Sequence, residues 1–219
     1  MTTFNHEGIE FILSGICSKW TEKLIREGTP YFTIYKASPR EWAEQLICEG
    51  TLYFTTLKSF QLDEHPERGD SLEGTATVIR QGQKCTTSSL NPIFVCCFTM
   101  ETDQKCILNT WKDSNPVRDT VVQICDTLTF VKRIHGYVKT NVMLLKVQVG
   151  DVAYDKDEGS DREPFRGEST FQKNLRFSGQ KEFRFALEGW TNKREEYILV
   201  DGKHLVLKLG DCSDILRIV

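Results

Sequence analysis

The chain has 219 residues, with 28 Lys+Arg against 31 Asp+Glu, a formal net charge of -3 and 39% hydrophobic residues. That length and balance suit one globular domain with a sizeable core, exclude global disorder, and disfavour bulk electrostatic attraction to nucleic acid or an anionic membrane. No apolar run approaches the roughly 18–20 residues of a membrane helix, and Met1 to Gly8 lacks a basic stretch before an apolar one, so no secretory signal and a cytoplasmic chain are expected.

In chain order, Ile9, Ile12, Ile16, Trp20 and Leu24 step by threes and fours, which predicts a helix over 9–26 within an N-terminal helical extension, 1–30. Tyr31 to Lys36 is rich in β-branched and aromatic residues and reads as a strand. Ser38, Pro39 and Glu41 form a helix start with a capping box. Trp42, Ala43, Leu46 and Ile47 supply the apolar stripe and Gly50 the stop. Thr51 to Thr56 reads as a second strand. Residues 57–74 are polar and turn-rich, the composition of a functional loop.

Strands are predicted at Thr75 to Arg80 and Ile93 to Thr99, with a polar connection from Gln81 to Asn91. Asn115, Pro116, Val117, Val121, Ile124 and Leu128 predict a second helix. Residues 142–149 alternate as a strand does. Residues 151–168 carry seven Asp/Glu against three Lys/Arg, which predicts a mobile acidic loop over 151–170. Strands at 183–187, 196–200 and 204–209 complete the pattern. No repeat or linker divides the chain. The expectation is one α+β domain, 1–219, of mixed or antiparallel twisted sheets with a few short helices.

The eight cysteines contain no Cys-x2-Cys pair, and the four histidines no metal-ligand spacing. Reduced thiols, with Cys48 and Cys125 on apolar positions of helices, and no metal are expected. Phosphate-loop, dinucleotide and nucleophile-elbow signatures are missing too.

Tyr35-Lys36, the helix over 39–49, Gly50, Leu52 to Phe60, Cys97-Phe98-Thr99, Trp111 and Gln180 to Phe185 follow one another in an order that resembles an uncharacterised bacterial family of unknown function. Where that family continues Asn-Asp-Pro, this chain has Gln61-Leu62-Asp63. The layout also resembles ADP-ribosyltransferases: a basic residue on a first strand, a helix, a Gly, a strand ending in an aromatic or hydroxyl motif, and a late Glu. Neither Arg nor His stands at the first position; Tyr35 or Lys36 does.

That resemblance implies an ADP-ribosyltransferase-like fold with NAD as substrate, a nucleic acid or protein acceptor, and a bacterial or phage-related toxin or antiviral defence role with a possible antitoxin or other partner protein. It implies Glu182 as the catalytic carboxylate and Tyr35, Lys36, Tyr53, Thr55, Phe60 and Arg68 as cofactor-binding residues. Cleavage at the nicotinamide ribose develops oxocarbenium character, so a carboxylate, an aromatic face and a basic group are the required types. The residues leave alternatives open. Glu182 and Arg184 share a strand face and can form an exposed ion-pair ladder. Glu196 is a rival carboxylate. Tyr53 can be core. A non-catalytic binding or sensor module of the same fold fits the pattern, as does a nuclease or glycosidase pairing Glu182 with Asp63 or Glu64.

Overall fold

The computed structural model describes residues 2–6, 9–13, 33–62, 74–80, 83–88, 93–113, 116–141, 145–156, 169–189, 199–200 and 204–219. Among the described residues the strands, in chain order, are β1 (Thr2–His6), β2 (Ile9–Leu13), β3 (Ile34–Ser38), β4 (Thr51–Thr56), β5 (Thr75–Arg80), β6 (Gln83–Ser88), β7 (Ile93–Thr99), β8 (Thr120–Ile124), β9 (Leu145–Asp151), β10 (Ala153–Lys156), β11 (Gln172–Asn174), β12 (Glu182–Gly189), β13 (Leu199–Val200), β14 (His204–Lys208) and β15 (Leu216–Ile218). The helices are α1 (Arg40–Glu49), α2 (Leu57–Gln61), α3 (Gln104–Thr110) and α4 (Thr127–Asn141). Two 3₁₀ turns, Ser169–Phe171 and Leu175–Gln180, flank β11.

Eleven strands make one sheet, whose main path is β1-β2-β9-β12-β7-β3-β8-β15. Its pairs are antiparallel apart from β2 with β9. The sheet forks at β7. One edge of β7 takes β12 along its whole length. The other edge is shared: β3 pairs at Thr99, and β4 pairs at Val95 and Phe94. Helix α1 joins the two branches, and β14 with β13 extends the β4 branch. The expected α+β class with a mostly antiparallel sheet and few helices is therefore present.

Strand parity sorts the core onto two faces. Phe94, Cys96 and Phe98 of β7 and Phe183, Phe185 and Leu187 of β12 point to the main core, which α1 and α4 cover with Ala43, Leu46, Phe130, Val131, Ile134 and Val138. Phe98, Phe130 and Phe185 meet edge to face at 5.2–5.8 Å, the preferred geometry for aromatic quadrupoles. The reverse face carries a smaller cluster of Leu57, Ile93, Val95, Phe171 and Ala186. Under α3 it carries Ala37, Ile107 and Val121.

Several sequence expectations change. Residues 9–13 form β2, not the start of a helix, and hairpin β1–β2 adds to the sheet; residues 14–30 of the expected helical extension lie outside the described residues. The polar connection after β5 contains β6, its hairpin partner. The helix predicted from Val117 to Leu128 is strand β8: Thr120, Val121, Val122 and Ile124 are mostly β-branched, and that preference wins over a spacing that also fits a helix. Asp126 instead marks the start of α4, taking the Thr129 N–H at 2.9 Å. Helix α3, capped by Asp103 on the Lys105 and Cys106 N–H groups, carries no apolar stripe long enough to signal itself.

Ser38 does not cap α1. It belongs to β3, Pro39 holds the N-cap position, and no side chain caps the helix. Trp42 is exposed rather than part of the stripe, which Ala43 and Leu46 supply. Cys48 and Cys125 are exposed thiols, and Cys125 follows β8 rather than sitting in a helix. Part of the expected acidic loop is ordered as β10, which pairs in parallel with β11; residues 157–168 lie outside the described residues.

Gly50 shows how tightly the branches close. Its φ is +63°, its N–H caps Gln45, and its carbonyl accepts from Leu209 at 3.1 Å. A Cβ there would stand 2.5 Å from the Gly210 carbonyl oxygen. Gly136, inside α4, faces open space. Gly50→Ala should lower the unfolding free energy by about 1–3 kcal/mol from backbone strain alone. Gly136→Ala should raise it by about 0.5–1 kcal/mol. Urea midpoints with unchanged m values would check both; a tolerated Gly50→Ala would contradict this packing.

Candidate functional site

Strand β12 lies between β9 and β7, so both of its edges are paired. The sequence Glu182-Phe-Arg-Phe-Ala-Leu alternates charge or small residue with large apolar residue. The aromatics go to the main core, and Glu182 and Arg184 go to the reverse face. Lys181, which precedes them, has φ +43° and closes the second 3₁₀ turn. This left-handed turn brings the chain from residues 169–180 across the face that Glu182 occupies.

The result is a buried ionic cluster. Glu182, Arg184 and Lys173 are 5%, 2% and 3% exposed. One Glu182 oxygen, Oε1, accepts from Lys173 Nζ at 2.6 Å. The other, Oε2, lies 2.7 Å from both Nε and Nη2 of Arg184. Arg184 Nη1 donates to the Thr170 carbonyl at 2.6 Å, and Lys173 Nζ donates to Gln180 Oε1 at 2.9 Å. The Lys173 ammonium also lies 4.6 Å from the centre of the Phe177 ring. At the backbone, Glu182 N–H donates to the Tyr154 hydroxyl at 2.7 Å.

The electrostatics follow from that geometry. Burial by itself pushes the Glu182 carboxyl up. Arg184 and then Lys173 oppose it and prevail, drawing it down to about 2. The group is therefore a carboxylate at neutral pH. Burial and then the Glu182 charge push the neighbouring Cys97 thiol up to about 12, so it stays a neutral thiol and a poor nucleophile. Burial raises the Tyr154 phenol in the same way, and it stays protonated.

Strand register places the other predicted residues. Tyr35 pairs with Thr99, and Thr99 pairs with Glu182, so these three stand in one row across β3, β7 and β12 on the same face. Thr55, opposite Val95, shares that face, and Phe60 packs on its apolar cluster. Lys36 does not join them. One residue on from Tyr35, it points to the main-core side, where Nζ donates to the Cys97 carbonyl at 2.9 Å and sits 4.8 Å from the Phe98 ring centre. Tyr53 is exposed and stacks on Trp42 with ring centres 5.8 Å apart. So Lys36, Tyr53 and Glu182 do not line one cleft. Arg68, the rival Glu196, and Asp63 and Glu64 lie outside the described residues.

Lys173, Gln180, Thr170 and Tyr154 escaped the sequence reading. Lys173 sits in the three-residue strand β11 and Gln180 at the end of a 3₁₀ turn, segments too short to show a periodic pattern. The pairing of Glu182 with Arg184 was visible from their spacing, but as an exposed ladder; the cover supplied by residues 169–180 makes it buried. Chemically, the cluster offers a fixed carboxylate able to stabilise positive charge, flanked by two cations. Among the described residues, no group of three or more His, Cys, Asp or Glu could hold a metal ion. No helix there is long and apolar enough to cross a membrane.

No protein-family model, curated protein or solved structure matches the chain.

The depressed Glu182 carboxyl has a pH signature. A group whose folded value lies below its ordinary 4.5 contributes stability that is present above 4.5 and is lost as pH falls toward 2. Unfolding free energies measured from pH 6 down to pH 2 should therefore fall more steeply for the parent chain than for Glu182→Gln. Parallel curves would contradict an ionised Glu182.

Proposed function

We propose that this chain is an ADP-ribosyltransferase-like enzyme that uses NAD to modify a nucleic acid or a protein. The observation that carries this reading is Glu182: a carboxylate kept ionised at the head of a central strand, in one row with Tyr35. The forked sheet, with α1 and Gly50 joining the branches, supports an ADP-ribosyltransferase-like arrangement. In this reading the bond between nicotinamide and ribose breaks, and its electron pair leaves with nicotinamide. Glu182 stabilises the positive charge on the ribose and accepts a hydrogen bond from its 2′-hydroxyl. An acceptor oxygen or nitrogen then bonds to the ribose carbon and loses its proton to water.

Of the residues proposed to bind the cofactor, Tyr35, Phe60 and Thr55 share the Glu182 face. Arg184 supplies the positive charge near the carboxylate, in place of Lys36 on the main-core side. A cytoplasmic toxin or antiviral defence effector of bacterial or phage origin, restrained by an antitoxin or other partner, is the setting such chemistry suits.

A second reading has its own support: both oxygens of Glu182 already have cationic partners within the protein. In a non-catalytic binding or sensor module the cluster would only hold residues 169–180 in place. Incubation with labelled NAD and cell extract separates the two. The enzyme reading expects label transfer or nicotinamide release that falls about 100-fold or more in Glu182→Gln. No NAD loss in either protein, with both folded, would favour the binding module.

A further inference from the structure

The position of Lys173 suggests how this site is regulated. In the proposed reaction Glu182 faces a ribose that becomes cationic. In the structure a cation already stands against Glu182 Oε1: the Lys173 ammonium, at 2.6 Å. Its second contact, Gln180 Oε1 at 2.9 Å, comes from the same covering segment. Arg184 differs. It comes from β12 itself, reaches the other oxygen, and is tied to the Thr170 carbonyl. The two cations thus have separable positions: Arg184 orients the carboxylate from within the strand, and Lys173 caps it from outside.

We propose that Lys173 is a built-in occupant of the substrate's cationic subsite, and that substrate binding displaces its ammonium from Glu182 Oε1. Lysine suits this role. Its ammonium is a point charge on a flexible four-carbon stem, whereas the arginine fork holds a fixed geometry. Displacement moves only that stem. Phe171, fully buried in the second apolar cluster, and the pairing of β10 with β11 keep the segment docked. A site filled by its own side chain lowers apparent substrate affinity by the fraction of time it is open. The effect therefore falls on KM rather than on kcat. The displacement rests on the NAD-using reading; the capping of Glu182 by Lys173 does not.

The test uses the full chain with Lys173→Met, and Lys173→Gln as a second variant that keeps a hydrogen-bond donor. One readout is coupling of Glu182 to an amine by a water-soluble carbodiimide, located by peptide mass spectrometry. The other is NAD turnover. Glu182 coupling should be low in the parent chain and rise in Lys173→Met. KM for NAD should fall about tenfold with kcat within about twofold. If coupling does not rise in a folded variant, or if kcat falls while KM holds, Lys173 positions Glu182 and the proposal is overturned. If neither variant folds, the ion pair is structural and the proposal is likewise overturned. If coupling rises but no protein consumes NAD, the capping stands and the NAD reading falls.

Discussion

The contact on which the covered face depends is the pair of ionic bonds to Glu182. Taking a carboxylate, a guanidinium and an ammonium out of water costs several kcal/mol for each ion, and attraction between them recovers that cost only with good geometry and satisfied hydrogen bonds. Here both carboxylate oxygens are engaged, the guanidinium also reaches the Thr170 carbonyl, and the ammonium also reaches Gln180. Apolar residues of the same volume would cover the sheet without that expense. They would not fix which residues of 169–180 lie over Glu182. Lys173 and the Thr170 carbonyl are two points along this segment that meet one pair of β12 side chains, and Gln180 holds the Lys173 ammonium. The cluster sets the segment's register, and the register in turn keeps Glu182 ionised and dry.

The sheet supplies the other half of the constraint. Because β7 shares one edge between β3 and β4, its two ends serve different branches. The Thr99 end carries the row of Tyr35, Thr99 and Glu182. The Phe94 end carries Thr55 and the approach to α2. Gly50 and the 209–210 backbone hold the β4 branch against α1, where no side chain fits. The main core then fills the opposite face with interlocking aromatics, which leaves polar chemistry only one side of the sheet on which to gather.

Much of this fold was legible where sequence signals are local. Strand β4 begins and ends where its residues predicted, and Pro39 and Gly50 bracketed α1. The failures share a cause. Val117, Val121, Ile124 and Leu128 satisfy helical spacing, while Thr120-Val121-Val122 satisfies a strand; pairing with β3 and β15 decides between them, and neither partner is near in sequence. Ile9 to Leu13 is ambiguous in the same way until β9 pairs with it. At the site, Glu182 and Arg184 were legible because they are two apart on one strand. Lys173 was not, because its role depends on a left-handed turn at Lys181 that ordinary residue preferences do not announce.

Parity also decides which residues can share a ligand. Tyr35 and Lys36 are neighbours in sequence, and either could take the first position of the resembled layout. On a strand they point to opposite faces, and the single pairing of Tyr35 with Thr99 assigns them. Tyr35 shares the Glu182 face, whereas the Lys36 ammonium is engaged with the Cys97 carbonyl and faces the Phe98 ring behind the sheet. Positive charge near the carboxylate must come from elsewhere on that face. Arg184 and Lys173 provide it, one from the strand itself and one from the segment that covers it.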